Sequence, residues 1–196
     1  MQGYTLKDTK DNLIRIIDFI EGDTLFNYIQ TVDKNHEQYY YEDLPDILHK
    51  LNDCLQGILL LHNNYTCHGD IRNDHIIIDA HTKKYRWIDF DLNQNIPDFD
   101  LWSLGNIINF VVGKGINSFS GIMKSKHFSN TIKRSLTHED ASAFFEYRIM
   151  NLKKLYPYIS EQLNDILLHF TLHPKVYYTK TCNLIRDYKA ALKDFK

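Results

Sequence analysis

Asp70 and Asp89 are the residues whose type and setting point most directly to chemistry. Asp70 lies in the polar run His68-Gly69-Asp70-Ile71-Arg72-Asn73-Asp74-His75, ahead of Ile76-Ile77-Ile78-Asp79. Asp89 lies in Trp87-Ile88-Asp89-Phe90-Asp91. Two carboxylates, each at the end of an apolar element, suit phosphoryl transfer from a magnesium-bound triphosphate. One orients the attacking hydroxyl and accepts its proton, while the other holds the metal that neutralises the β- and γ-phosphates. Aspartate is also a common turn residue, so either stretch alone says little. Their order, and the hairpin-sized interval between them, give the pair its weight.

The surrounding pattern supplies rigid mounts for both groups. Residues 12–20 are dense in Ile and Leu and predict a buried strand, broken by Gly22. Asp23 or Thr24 can cap a short helix reaching about Val32, and residues 34–41 predict a loop. From Glu42 to His62 the apolar residues recur at helical spacing, which predicts a long, mostly buried helix. Residues 67–75 predict a polar loop, followed by strands at 76–79 and 85–88 that form a small hairpin. A strongly apolar helix is expected from Asp98 to about Val112, closed by Gly113 and Gly115. Residues 117–136 are ambiguous, and helices are expected at 138–155, 160–172 and 179–195, with Pro157 and Pro174 between them.

The bulk numbers bound the alternatives. A chain of 196 residues holds one compact domain and hardly two. A net charge of −2 implies no broad basic face, so nucleic acid is not an expected partner. Cys54, Cys67 and Cys182 are odd in number and widely spaced, which argues against a disulfide framework or a structural zinc site. They fit a reducing compartment. No basic region followed by an apolar run begins the chain, and no apolar stretch reaches membrane length. A cytoplasmic location without membrane partners is expected.

Several stretches together resemble the C-terminal lobe of protein-kinase-like phosphotransferases. His68-Gly69-Asp70 and the following Ile-Ile-Ile resemble the catalytic loop and the strand after it, in the HGD form of aminoglycoside, choline and sugar or lipid-A-type kinases. Asp89-Phe90-Asp91 resembles the metal-binding D-F-G with its Gly replaced, and Asp100-Leu101-Trp102-Ser103-Leu104-Gly105 resembles the start of the central F helix. Residues 17–25 resemble the hinge between lobes, and residues 169–179 the junction of the last helices. The likeness runs from about Leu13 to Phe195. It implies a mainly α (α+β) fold: a helical bundle around a buried F helix, with a small β-hairpin at the active site. Residues 1–22 would be a remnant of the N-lobe strand and hinge, and residues 23–196 the C-lobe.

The resemblance also implies roles. Asp70 would be the catalytic base, and Arg72 would stand where a phosphate-facing Lys is usual. Asp89 would bind Mg²⁺, with His75 in the slot of the second metal ligand. His68 would pack under the loop, and Asp100 would hold the loop backbone. The Asp18 carbonyl and Ile20 amide would meet the adenine of ATP, with Ile77 beneath it. For Ile17, Ile20 and Ile77 a plain core role is equally open.

Four departures temper these roles. Imidazole at His75 is a poor ligand for Mg²⁺, which prefers oxygen, although His there also resembles lipopolysaccharide-type sugar kinases. Gly69 stands where loop-regulated kinases carry Arg, so activation by loop phosphorylation is not expected. Only residues 92–99 separate Asp91 from Asp100, no A-P-E occurs, and Tyr177 replaces the Arg that would pair with its Glu. A small-molecule acceptor, or none, is expected rather than a peptide. No Gly-rich loop, V-A-I-K strand or partner Glu precedes Asn12, so the ATP-holding lobe is expected to come from elsewhere, for instance a protein partner. Without it, positioning and electrostatics would suffer heavily.

Two functions remain open on this reading. One is an ATP- and Mg²⁺-dependent phosphotransferase acting on a hydroxyl. The other is an inactive pseudokinase or truncated kinase-like scaffold that docks a protein partner. A metal-dependent hydrolase built on His62, His68, Asp70, His75 and His81 fits no standard ligand spacing.

Overall fold

The computed structural model describes residues 3–91 and 96–195. The fold is α+β and mainly helical, with two small antiparallel sheets. Strands β1 (Gly3–Lys7) and β2 (Leu13–Ile17) form one hairpin, with Gly3 opposite Ile17. Strands β3 (Gly22–Thr24), β4 (Ile76–Asp79) and β5 (Tyr85–Trp87) form the other, in the order β3-β4-β5. The helices are α1 (Leu25–Thr31), α2 (His36–Glu42), α3 (Leu44–Asn63), α4 (Pro97–Val112), α5 (Phe119–Lys124), α6 (Asn130–Ser135), α7 (Glu161–Leu168) and α8 (Thr181–Ala191).

The core lies where α3, α4, α7 and α8 meet. Helix α3 buries Leu44, Ile47, Leu48, Leu51, Leu55 and Ile58 on one face. Helix α4 is apolar nearly all round and buries an unbroken run from Ile107 to Val112, as expected of a helix enclosed on every side. Gly105 belongs to this packing: a Cβ there would come within 2.5 Å of the Phe170 ring. Buried tyrosines tie the layers by their hydroxyls. Tyr39 donates to the Val111 carbonyl at 2.8 Å, and Tyr188 to that of Leu48 at 2.8 Å.

Expectation and structure differ in three places. Residues 34–41 are not a loop: α2 starts at His36, where Asn35 and Gln38 form a reciprocal capping box and Tyr39 and Tyr40 are buried. Strand β2 is not buried; all five of its residues are exposed. An apolar run requires a covering layer, and among the described residues the hairpin has none. Residues 138–155 are not a helix. They hold only the 3₁₀ turns His138–Asp140 and Leu152–Lys154, with isolated bridges from Ala141 to Ile149 and from Ser118 to Arg148. The buried Asp140 carboxylate organises this stretch. It accepts from the Thr137 amide at 2.8 Å, Asn151 Nδ2 at 2.9 Å and Lys154 Nζ at 2.6 Å. These bonds hold a compact loop whose apolar residues reach the core without helical geometry. The last two expected helices are present but shorter, as α7 and α8.

Among the described residues, no helix is long and apolar enough to cross a membrane.

Candidate functional site

Helix α4 delivers Asp100 to the loop that carries Asp70. The Asp100 side chain is fully buried. Its Oδ2 accepts the His68 amide at 2.7 Å and its Oδ1 accepts the Gly69 amide at 2.9 Å. His62, near the end of α3, donates from Nε2 to the same Oδ2 at 3.0 Å, while its Nδ1 accepts from the Thr181 hydroxyl at 2.7 Å. One carboxylate thus joins α3, α4 and the loop, with α8 behind them. Gly69 has φ +81°, a conformation that favours glycine, and this turns the chain sharply so that Asp70 follows the anchored amides.

His68 stacks on Phe90 at 4.3 Å between ring centroids and meets Trp87 edge-on at 4.9 Å. Burial pushes the His68 imidazole below its usual range. The Trp87 indole in turn donates to the Cys54 carbonyl of α3 at 3.0 Å. The stretch carrying Asp89 is therefore pinned to the same frame as Asp70. A backbone bond from the Asp91 amide to the His68 carbonyl, 2.8 Å, closes the link.

His75 stands between the two carboxylates. Its Nδ1 lies 2.9 Å from the Asp70 carbonyl oxygen, which can only accept, so Nδ1 carries the proton. The same nitrogen is 3.5 Å from Asp70 Oδ2, and Nε2 is 4.0 Å from Asp89 Oδ2. Asp89 adopts φ +55°, an uncommon backbone conformation that aspartate tolerates better than most residues. Its side chain is 70% exposed, against 42% for Asp70, so both can reach a ligand. With the proton on Nδ1, His75 Nε2 and the Asp89 carboxylate are the pair that could hold a cation. An N,O pair suits Mn²⁺ better than Mg²⁺.

Arg72 forks onto Asp74, from Nε at 3.0 Å and from Nη2 at 2.7 Å, and Asp74 holds its guanidinium above the usual range. Asp70 and Asp89 act on the same guanidinium from farther away. Asp70, Arg72 and Asp74 line a cavity of about 390 Å³ whose lining also includes Phe99, Phe144 and Arg148. Asp18 and Ile20 lie apart from it, along an open cleft of about 690 Å³ with Trp87 and Phe90. Ile77 is not among the residues lining that cleft; it pairs with Thr24 and Arg86 in the β3-β4-β5 sheet. The structure thus gathers Asp70, His75, Asp89, His68 and Asp100, and leaves the three adenine-facing candidates divided. Residues 92–95, part of the short stretch before Asp100, fall outside the described residues. Tyr177 packs on Trp102 at 5.6 Å and donates to the Leu172 carbonyl at 3.0 Å.

The five-residue metal cluster considered from sequence does not assemble. His81 contacts Glu21 at 3.2 Å instead. A different trio, His62, Cys67 and Asp100, brings its ligand atoms within 4.8 Å of one another, but Asp100 and His62 are already committed to the bonds above. Sequence reasoning gave His62 no part in supporting the loop, and it missed Arg148 entirely. His62 closes the apolar face of α3 beside Leu61, a position that signals a partner inside the fold.

Comparison with known proteins finds a weak likeness. The likeness is to protein kinases. Myosin light chain kinase 3 of Danio rerio is 24% identical over 160 residues, covering 67% of this chain and 21% of that protein. The Rattus norvegicus protein of the same name is 24% identical over 149 residues, covering 62% and 18%. Serine/threonine-protein kinase CLA4 of Saccharomyces cerevisiae is 27% identical over 75 residues, covering 38% and 9%. No family model matches the chain. The chain spans about a fifth or less of the length of the curated relatives it matches. The relationship is kinase-like and distant.

Proposed function

We propose that this chain carries the catalytic half of an ATP-dependent phosphotransferase acting on a hydroxyl. The observation that supports this best is the Asp100 clamp on the His68 and Gly69 amides, which holds Asp70 and Asp89 on either side of His75. In this reading the acceptor hydroxyl oxygen bonds to the γ-phosphorus as its proton passes to the Asp70 carboxylate. The bond from that phosphorus to the β,γ-bridging oxygen breaks, and ADP leaves. Asp89, with His75 Nε2 beside it, would hold the divalent cation that neutralises the phosphates. Arg72 adds positive charge at the rim, and the hinge residues Asp18 and Ile20 would meet adenine.

A direct assay follows γ-phosphate release or transfer from ATP with Mg²⁺ or Mn²⁺. Turnover that Asp70→Asn lowers by about two orders of magnitude or more is expected of a base in this chemistry. Turnover untouched by that change ends the reading.

A second reading has its own observation. Leu13 is 72% exposed and Phe19 is 91% exposed, on a hairpin and linker rich in bare apolar residues. Such a surface suits a protein partner, whether one that completes the nucleotide site or one docked on an inactive scaffold. ATP binding without turnover, together with a stable complex through this hairpin, would favour the scaffold.

A further inference from the structure

Arg148 is a buried cation with no acid opposite it. It is 5% exposed. Its Nη1 donates to the Asn106 side-chain oxygen at 3.0 Å and, more weakly, to the Asn106 carbonyl at 3.4 Å, and the Tyr147 side chain is its other polar neighbour. Its Nε has no acceptor. The guanidinium lies 5.1 Å from the centre of the Phe145 ring, a favourable but modest contact. Burial draws its pKa below the usual arginine range. Arginine stays protonated regardless, and a buried charge without a counter-charge is costly.

Its neighbours do not supply that counter-charge. Among the described residues no carboxylate forms an ion pair with Arg148. Asp74 is engaged by Arg72, and Asp70 by His75. The residues outside the description (Met1, Gln2, 92–95 and Lys196) carry no acidic side chain. Arg148 lines the same cavity as Asp70, and Phe99 and Phe144 form part of its wall. A cation, a carboxylate and aromatic rings lining one cavity make a site for a small amphipathic anion.

We propose that this cavity is the acceptor site, and that Arg148 binds an oxyanion group on a small hydroxyl-bearing acceptor whose apolar body lies against Phe99 and Phe144. The proposal rests on Asp70 being the catalytic base. It narrows the acceptor from any hydroxyl compound to an anionic one, and it makes Arg148 the residue that selects it. An oxyanion takes two hydrogen bonds from a guanidinium fork and returns the missing charge.

The test uses phenyl phosphate as probe and benzyl alcohol as its neutral counterpart, each titrated into the whole chain and followed by NMR at the arginine Nε–H and phenylalanine ring signals. Saturable binding of phenyl phosphate is expected, with shifts at Arg148 and Phe144 and affinity at least tenfold above that of benzyl alcohol. Arg148→Gln should weaken the phosphate about tenfold to a hundredfold. Should that variant fail to fold, Asn106→Asp gives the same information. It places a carboxylate against Nη1, so it should raise the melting temperature while displacing the anion. Equal affinity for the two probes, or phosphate binding unchanged in Asn106→Asp, overturns the proposal. Phenyl phosphate bound through Arg148, together with phosphate transfer untouched by Asp70→Asn, overturns the phosphotransferase reading and leaves the anion site standing. A chain that transfers phosphate but does not prefer the anionic probe overturns the anion site alone.

Discussion

The Asp100 carboxylate accepts the amide of His68 at 2.7 Å, joining α4 to a loop 32 residues earlier in the chain. The same carboxylate accepts from Gly69 and His62, so each of its oxygens is used. The clamp explains why a polar loop with a positive-φ glycine stays in one shape above an apolar helix.

Asp100→Asn removes the charge and one acceptor oxygen and leaves a donor facing donors. Breaking a buried charged network by one member costs about 3–5 kcal/mol. Urea unfolding should show a loss in that range. A loss under 1 kcal/mol would mean the loop holds its shape by other contacts.

Gly105→Ala sets two effects against each other. Alanine favours a helix over glycine by about 1 kcal/mol. The added Cβ, however, would meet the buried Phe170 ring at 2.5 Å, and overpacking of this kind costs about 1–3 kcal/mol. Packing should win, with net destabilisation and a lower melting temperature. A stabilised variant would show that Phe170 shifts freely.

His36 gives the protein a pH dependence of known sign. Its ring stacks on Tyr156 at 3.5 Å; Nε2 donates to the Val112 carbonyl at 2.9 Å and Nδ1 accepts from the Tyr158 hydroxyl at 2.7 Å. Burial holds its pKa down, from 6.5 to about 4; the Val112 bond opposes this and the nearby Lys114 reinforces it. Between those values the unfolded chain binds a proton that the folded chain refuses. Stability therefore falls as pH drops through that window and is unaffected above it, by about 3 kcal/mol in all. His36→Phe should flatten the stability profile by that amount between pH 7 and pH 4. An identical profile would place the effect elsewhere.

His75→Asn should change the metal preference of the proposed site. In the proposed site the wild-type imidazole beside Asp89 would favour Mn²⁺, while an amide oxygen is a better donor to Mg²⁺. In nucleotide-binding titrations the ratio of Mn²⁺-supported to Mg²⁺-supported affinity should drop in the variant. An unchanged ratio would remove His75 from the metal site.

The sequence made some of this arrangement legible. Helices α3 and α4 follow from long apolar periodicities; Asp70 and Asp89 stand out because polar groups at the ends of apolar runs need a reason, and Asp100 through its resemblance to the start of the F helix. Other parts depended on what lies opposite. Strand β2 is as apolar as a buried strand, yet only a covering layer could have buried it. Helix α2 hid behind three consecutive tyrosines, although the Asn35–Gln38 capping box marked its start. Residues 138–155 have helical spacing, but the bonds made by Asp140 overrule it. Arg148 sits inside that misread stretch, and its significance arises only when the fold brings it to the cavity of Asp70.

The central claim is that Asp89 and its neighbours bind a divalent cation with ATP. Isothermal titration of the chain with Mg²⁺-ATP and Mn²⁺-ATP tests it most directly, with Asp89→Asn as the control. The account predicts saturable binding heat in the wild type that falls at least tenfold in affinity in Asp89→Asn. Absence of binding heat with either metal, or equal affinity in the two proteins, would contradict it.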